Sequence, residues 1–243
     1  MKYIEMLPNE IRDAVLRNLP IIIGAGCVEY HGPQLPIGTD ILMCEGLIHK
    51  IEESCECVIM PSLPFSPTMF WAGGAKDGEF NFSSDALYLY AREMLKGILE
   101  VGFRRIYIIQ HHQGAEGLPS VTLKKAALDT ITEITDKWND GWGCSTEYNI
   151  KNIFSLIKVI QIASFVEYKS EESEKISFSH GGKGETQFIM ATHENLVDLA
   201  KLDETLTNTI WWLKDAKEAK KNQGEEWLHL CVEGWVKELK KEI

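Results

Sequence analysis

Glu29-Tyr30-His31-Gly32-Pro33-Gln34-Leu35-Pro36-Ile37-Gly38-Thr39-Asp40 places two carboxylates and an imidazole within twelve residues, directly after the apolar run Ile21-Ile22-Ile23-Gly24-Ala25-Gly26-Cys27-Val28. A buried strand running into a Gly/Pro-rich loop with Glu, His and Asp is how α/β proteins build a metal site. The strand fixes the backbone, and the loop beyond its carboxyl end faces the crevice where ligands bind. Glu29 and His31 are two apart, so in extended chain their side chains point the same way. Pro33, Pro36 and Gly38 suit a chain that turns back on itself before Asp40.

Two further segments share this character. Arg105-Ile106-Tyr107-Ile108-Ile109-Gln110-His111-His112-Gln113-Gly114 is again an apolar run that ends in nitrogen ligands and a glycine. Parallel strands of one sheet bring two such ends to the same edge. Ser179-His180-Gly181-Gly182-Lys183-Gly184-Glu185-Thr186 leads into a helix-like stretch, and its glycines let backbone approach a site closely. Glu185 also reads simply as a charge favoured by the dipole at a helix start.

In order and separation these segments resemble the creatininase (creatinine amidohydrolase) family. Its members carry Glu-x-His-Gly-Pro-x-Leu-Pro-x-Gly-Thr-Asp, which residues 29–40 reproduce in full. They carry a strand ending in Asn-Gly-His-Gly-Gly-Asn, which Gln110-His111-His112-Gln113-Gly114-Ala115 matches in the central His and one Gly. They also carry His-Ala-Gly-x-x-Glu-Thr, which residues 180–186 match with the same spacing. The resemblance covers roughly residues 1–200.

What the resemblance implies is a centre of two divalent metal ions. Glu29 and His112 would bind one, His31 the other, and Asp40 would bridge them. Where creatininase itself has a further metal-binding Glu, this chain has Gly114. The remaining ligand would then be Glu185, as in members that lack that Glu, with Glu116 on the strand-end loop as a rival. His180 matches a family histidine held to shuttle protons, and Glu185 is carried over with it as a catalytic residue. Imidazole and carboxylate ligands suit zinc foremost, with manganese or iron(II) as alternatives. The implied chemistry is attack of metal-bound hydroxide on the carbonyl of a cyclic amide or amide-like small molecule, with His180 moving a proton to the leaving group. The family also includes enzymes that open cyclic diketones derived from inositol. Hydrolysis of a carbon–carbon bond in such an inosose derivative is therefore the alternative expectation.

Departures from the family pattern bear on substrate. Lys76 and Asp77 stand in the region where the family has a histidine, His111 replaces a Gly, and Gln110 replaces an Asn. More hydrogen-bonding groups in the pocket would favour a polar, polyhydroxylated cyclic substrate. The rival reading of Lys76 and Asp77 is a solvated turn.

Composition agrees. A chain of 243 residues, 44% hydrophobic, can bury a full core as one domain spanning residues 1–243. A net charge of −11 argues against a nucleic-acid surface, and no apolar run has the ~20 residues of a membrane span. Lys2 and Glu5 follow Met1 without a secretory apolar region, and the six cysteines form no zinc-ribbon spacing. Both facts point to a reducing cytoplasm. Cys27 and Cys231 read as small core residues, and the Cys55-Glu56-Cys57 pair as structural.

Strand candidates at residues 21–28, 57–63, 105–110 and within 153–165 alternate with helix candidates at 41–53, 83–101, 118–137, 185–192 and 204–221. Ser83 is a plausible cap and Gly102 a stop. Such alternation predicts an α/β, three-layer αβα sandwich with a mostly parallel sheet. Residues 139–152 read as a surface excursion. The Trp-rich stretch beyond residue 200 reads as one or two amphipathic helices covering the core, or as a subunit interface. The second option follows because the family forms hexamers, so a homo-oligomer is expected.

Overall fold

The computed structural model describes residues 1–138, 152–170 and 175–241. The predicted excursion at 139–152, apart from Asn152, lies outside the described residues, as does Cys144. The elements are Pro8–Leu16 (α1), Ile21–Ala25 (β1), Thr39–Glu52 (α2), Val58–Ile59 (β2), Ser84–Val101 (α3), Ile106–Gln110 (β3), Leu118–Lys137 (α4), Ile157–Gln161 (β4), Lys183–His193 (α5), Glu204–Thr209 (α6) and Lys221–Leu239 (α7). The strands form one parallel sheet in the order β2-β1-β3-β4.

Side chains alternate across this sheet and create two apolar layers. Ile21 and Ile23 of β1 and Ile106 and Ile108 of β3 pack against α1, α3 and α4 through Ala14, Leu95, Leu99 and Ile131. Ile22, Tyr107 and Ile109 face the other way, onto α2, α5 and α7 through Met43, Leu47, Phe188 and Trp235. Trp235 is fully buried, and its indole N–H donates to the Ile162 carbonyl at 2.8 Å, so the ring's one polar group is not left unpaired. The sandwich expected from the alternation is thus present, with helices on both faces. No helix among the described residues is long and apolar enough to cross a membrane.

Boundaries moved for identifiable reasons. β1 stops at Ala25 because the next amide, Gly26 N–H, turns to the Leu63 carbonyl (3.1 Å) and the chain leaves the ladder. β2 is only Val58–Ile59, since Pro61 and Pro64 lack the amide donors a longer strand needs. Ser83 Oγ accepts from Asp85 N–H at 3.2 Å, and Gly102, at φ +121°, ends α3, as predicted. The expected helix over 204–221 is instead α6, an extended Ile210 and two short 3-10 turns, Trp211–Leu213 and Ala216–Glu218. That break has a use. Asp215 Oδ1 accepts from Lys183 N–H at 3.0 Å at the start of α5, and Trp212 reaches the site described below.

From β1 the chain crosses to β2 on one side and then to β3 and β4 on the other. The strand order therefore reverses between β1 and β3. Loops leaving the carboxyl ends of those two strands part at that point and open a crevice.

Candidate metal centre

The loop after β1, the loop after β3 and the start of α5 converge on this crevice. Cys27, Glu29 and His31, spaced by two along extended chain, all present donor atoms to one buried cluster. Asp40 joins them from the first turn of α2, where the helix dipole also favours a carboxylate. Gly26 makes that approach possible. A Cβ there would stand 2.6 Å from the Ile41 nitrogen and 2.8 Å from the Asp40 carbonyl carbon.

Asp40 lies between two imidazoles. Its Oδ2 is 3.0 Å from His112 Nδ1, and its Oδ1 is 3.2 Å from His31 Nε2. Glu29 Oε2 is 3.1 Å from His112 Nδ1, and Glu185 Oε2 is 3.6 Å from His31 Nε2. The donors group accordingly as Cys27, Glu29, Asp40 and His112 on one side and His31, Asp40 and Glu185 on the other. His180 adds a third group with Glu29 and His31.

Backbone carbonyls fix how each ring is turned. His31 Nδ1–H donates to the Glu29 carbonyl (2.9 Å), His112 Nε2–H to Pro67 O (3.0 Å), and His180 Nε2–H to Tyr30 O (2.8 Å). In every case the opposite nitrogen faces the carboxylates, the orientation metal-ligating histidines use. The clearest sign is His31 Nε2, which is buried and makes no hydrogen bond at all. A buried polar atom without a partner is costly, and a metal ion would satisfy it. Gln110 spends its side-chain amide on the His112 carbonyl (2.7 Å) and accepts from Ser120 Oγ (2.7 Å), so it pins the loop. Glu185 Oε2 accepts from Gly181 N–H at 2.7 Å.

Electrostatics point the same way. Burial alone would push His31 and His112 down, but the Asp40 carboxylate overrides it and holds both imidazoles up at about 10. Burial likewise opposes Asp40, and the two imidazoles hold it well below the usual carboxylate range. Glu185 is also held low, against its burial, by His31 and His111. Without a cation, protons on the histidines balance the carboxylates, and a divalent ion would displace them. His180 is pushed the other way, by burial and by the charge of His31. It is therefore neutral near neutral pH and able to accept a proton.

Each residue expected from the sequence to bind metal lies in the cluster: Glu29, His31, Asp40, His112 and Glu185. Glu116 is exposed and outside it. Of the residues expected to make the pocket polar, only His111 lines the cleft, with Nε2 2.9 Å from Glu185 Oε1. Lys76 and Asp77 stand exposed on a 3-10 turn away from it, which corrects the expectation that they contact substrate. Gln110 is buried behind the loop. Cys27, read as a small core residue, is indeed fully buried, but it lies outside the two apolar layers and its Sγ donates to Asp40 Oδ2 at 2.8 Å. The signal for it was the period of two it shares with Glu29 and His31.

Above the cluster the cleft has a volume of about 600 Å³. Its upper walls are aromatic, with Trp71, Phe178, Trp211 and Trp212. Trp71 and Trp211 are 74% and 82% exposed at its mouth. Trp212 meets His180 edge to face at 4.8 Å between ring centres.

The sequence matches the profile of the creatininase family, described as creatinine amidohydrolase, over residues 5–239. None of the functionally curated proteins matches it. Among solved structures it is similar to a manganese creatininase, with TM-score 0.78 and 18% identity over 98% of this chain and 97% of that one. A Glu-to-Gln creatininase variant complexed with creatine gives 0.78 and 18% over the same shares of each chain. A Zn–Zn form of such a variant gives 0.77 and 17% over 98% and 96%. At those identities the structural likeness speaks for the fold. The profile match over nearly the whole sequence speaks for descent, and the chain belongs to the creatininase family of metal-dependent amidohydrolases.

Proposed function

We propose that the chain, acting as one domain, is a two-metal hydrolase that adds water to the carbonyl of a small cyclic amide or amide-like compound. The observation that carries this reading is the division of Asp40 between two donor groups, one oxygen toward His112 and the other toward His31. A single carboxylate so placed suits a bridge between two ions. Glu29, Asp40 and His112 would hold one ion, and His31, Asp40 and Glu185 the other. Oxygen and nitrogen donors of this kind suit zinc, manganese or iron(II). When bound, a pair of such ions lowers the pKa of water from ~15.7 toward ~7 and polarises a carbonyl.

The chain's own residues supply the rest. His180, neutral and with Nδ1 3.6 Å from Glu29 Oε2, stands at the edge of the cluster where it can take a proton and return it to the leaving nitrogen. Glu185 is held by Gly181 N–H and His111, so its carboxylate keeps one orientation through the reaction. The aromatic walls offer flat apolar surface that suits a flat ring. His111 adds a hydrogen-bonding group where the family pattern has glycine. With Nε2 given to Glu185, its Nδ1 could accept from a substrate hydroxyl, which favours a second reading, ring opening of a polyhydroxylated cyclic diketone at a carbon–carbon bond.

The test begins with metal analysis of protein purified without chelator, followed by a screen of lactams (creatinine included), formamides and inosose-derived ketones. We expect about two ions per chain, as the two donor groups require, and turnover that chelation abolishes and added zinc or manganese restores. Asp40→Ala should lose both ions. Only trace metal, none taken up on incubation with zinc or manganese, or turnover that survives exhaustive chelation would overturn the proposal.

A further inference from the structure

Cys27 has no place in the family's ligand pattern. It is 0% exposed and lies outside both apolar layers, unlike Cys231, which packs within one. Its sulfur is 2.8 Å from Asp40 Oδ2 and 3.9 Å from Glu29 Oε2. Together with His112 these atoms make four donors that all lie within 4.8 Å of one another. A second observation points to an ion in the group that shares Asp40 with this one. In the adjoining group His31 Nε2 is buried, has no hydrogen-bond partner and is aimed at the other oxygen of the same Asp40.

We infer that Cys27 is a ligand of the ion held by Glu29, Asp40 and His112, and that it makes this position select zinc over manganese. The inference rests on the two-metal reading above and deepens it. One sulfur, one nitrogen and two oxygens are the number and kind of donors that four-coordinate zinc takes. Thiolate is a soft ligand that manganese, which prefers carboxylate and water, does not favour. The second position, formed by His31, Asp40 and Glu185, has no thiol and lacks this selection. The two halves of the centre therefore differ in the metal they prefer. As the sulfur–zinc bond forms, the S–H bond breaks heterolytically and its proton leaves to solvent.

Cobalt(II) provides a readout that does not depend on turnover. The metal-free wild-type protein is titrated with cobalt and followed by absorption spectroscopy, alongside Cys27→Ser and Cys27→Ala. We expect a thiolate-to-cobalt charge-transfer band in the near ultraviolet for the wild type. It should be absent from both variants, while the visible ligand-field bands show that they still hold cobalt. In competition between equal zinc and manganese, the wild type should fill one position with zinc, and Cys27→Ser should lose at least about tenfold of that preference, the lower end of what disturbing a metal site costs. X-ray absorption of the zinc-loaded wild type should show a Zn–S distance near ~2.3 Å. That measurement stands even if neither variant folds. Ligand-field bands without a thiolate band, and no Zn–S scattering, would overturn the inference and leave the two-metal centre intact. Failure of the wild type to bind cobalt or zinc at all would overturn both.

Discussion

Gly26→Ala tests how the fold aims the centre without touching a donor atom. The added methyl would stand 2.6 Å from the Ile41 nitrogen and 2.8 Å from the Asp40 carbonyl carbon, both backbone atoms of the first turn of α2. Backbone cannot swing aside as a flexible side chain can. Opening the shorter contact to the ordinary 3.4 Å requires the helix start and the β1 loop to part by about 0.8 Å. Overpacking of that kind costs ~1–3 kcal/mol of stability. The larger effect falls on Asp40, because a catalytic constellation tolerates only ~0.5 Å of error. Misplacement of about 1 Å can cost ~10²-fold in rate. We expect the variant to remain folded with a lowered melting temperature, to lose occupancy at both metal positions together, and to lose on the order of 10²-fold in kcat. Metal content measured by plasma mass spectrometry well below the melting temperature separates this from unfolding. Wild-type metal content and kcat in Gly26→Ala would refute the claim that close approach of β1 and α2 sets the position of the bridge.

Other expectations concern single groups. Glu185→Gln should weaken the position shared with His31, and Glu116→Gln should leave both filled; equilibrium dialysis against zinc reads the difference, and the reverse result moves the ligand to the strand-end loop. His180→Asn should lower kcat by ~10²–10⁴-fold with metal content unchanged, as loss of a proton-transfer group does; lost metal instead would make His180 a ligand. The pH dependence of the metal-free protein has a definite sign. His31 and His112 are raised from 6.5 to about 10 in the folded state, chiefly by Asp40 working against burial. The stability they contribute is therefore complete below about 6.5 and is lost as pH rises toward 10. Calorimetry in chelator should show the melting temperature falling across that window, and excess zinc should remove the fall; a flat profile in chelator would contradict the assignment.

Much of this was legible in the sequence because strand ends and candidate donor residues coincide. The run before Glu29 and the run before His111 each announce a buried strand, and parallel strands put both ends at one edge. The cluster of donor side chains from Glu29 to Asp40 follows from that. The contact of Cys27 with Asp40 was not legible because an apolar run disguises a thiol as packing. The parity that joins it to Glu29 and His31 was available, but hydropathy pulled the other way. Glu185 was ambiguous between helix-start charge and ligand, and its position, in the first turn of α5 and 3.6 Å from His31 Nε2, is compatible with both readings. Lys76 and Asp77 could not be placed, since nothing local says whether a polar turn faces a cleft or solvent. The predicted helix over 204–221 failed for a tertiary reason: Trp212 is drawn to Tyr30 and His180, and Asp215 to α5.

The loop from Glu29 to Asp40 closes on itself, with Glu29 N–H donating to the Ile37 carbonyl at 2.9 Å. Three of the donors thus belong to one stretch of twelve residues, whereas His112 and Glu185 arrive from distant parts of the chain. A denatured molecule keeps those three donors close in sequence but loses the backbone bond that closes the loop. Any metal those three donors hold in the unfolded chain would make loading raise stability by less than the native affinity alone would give, because the full set needs His112 and Glu185 as well.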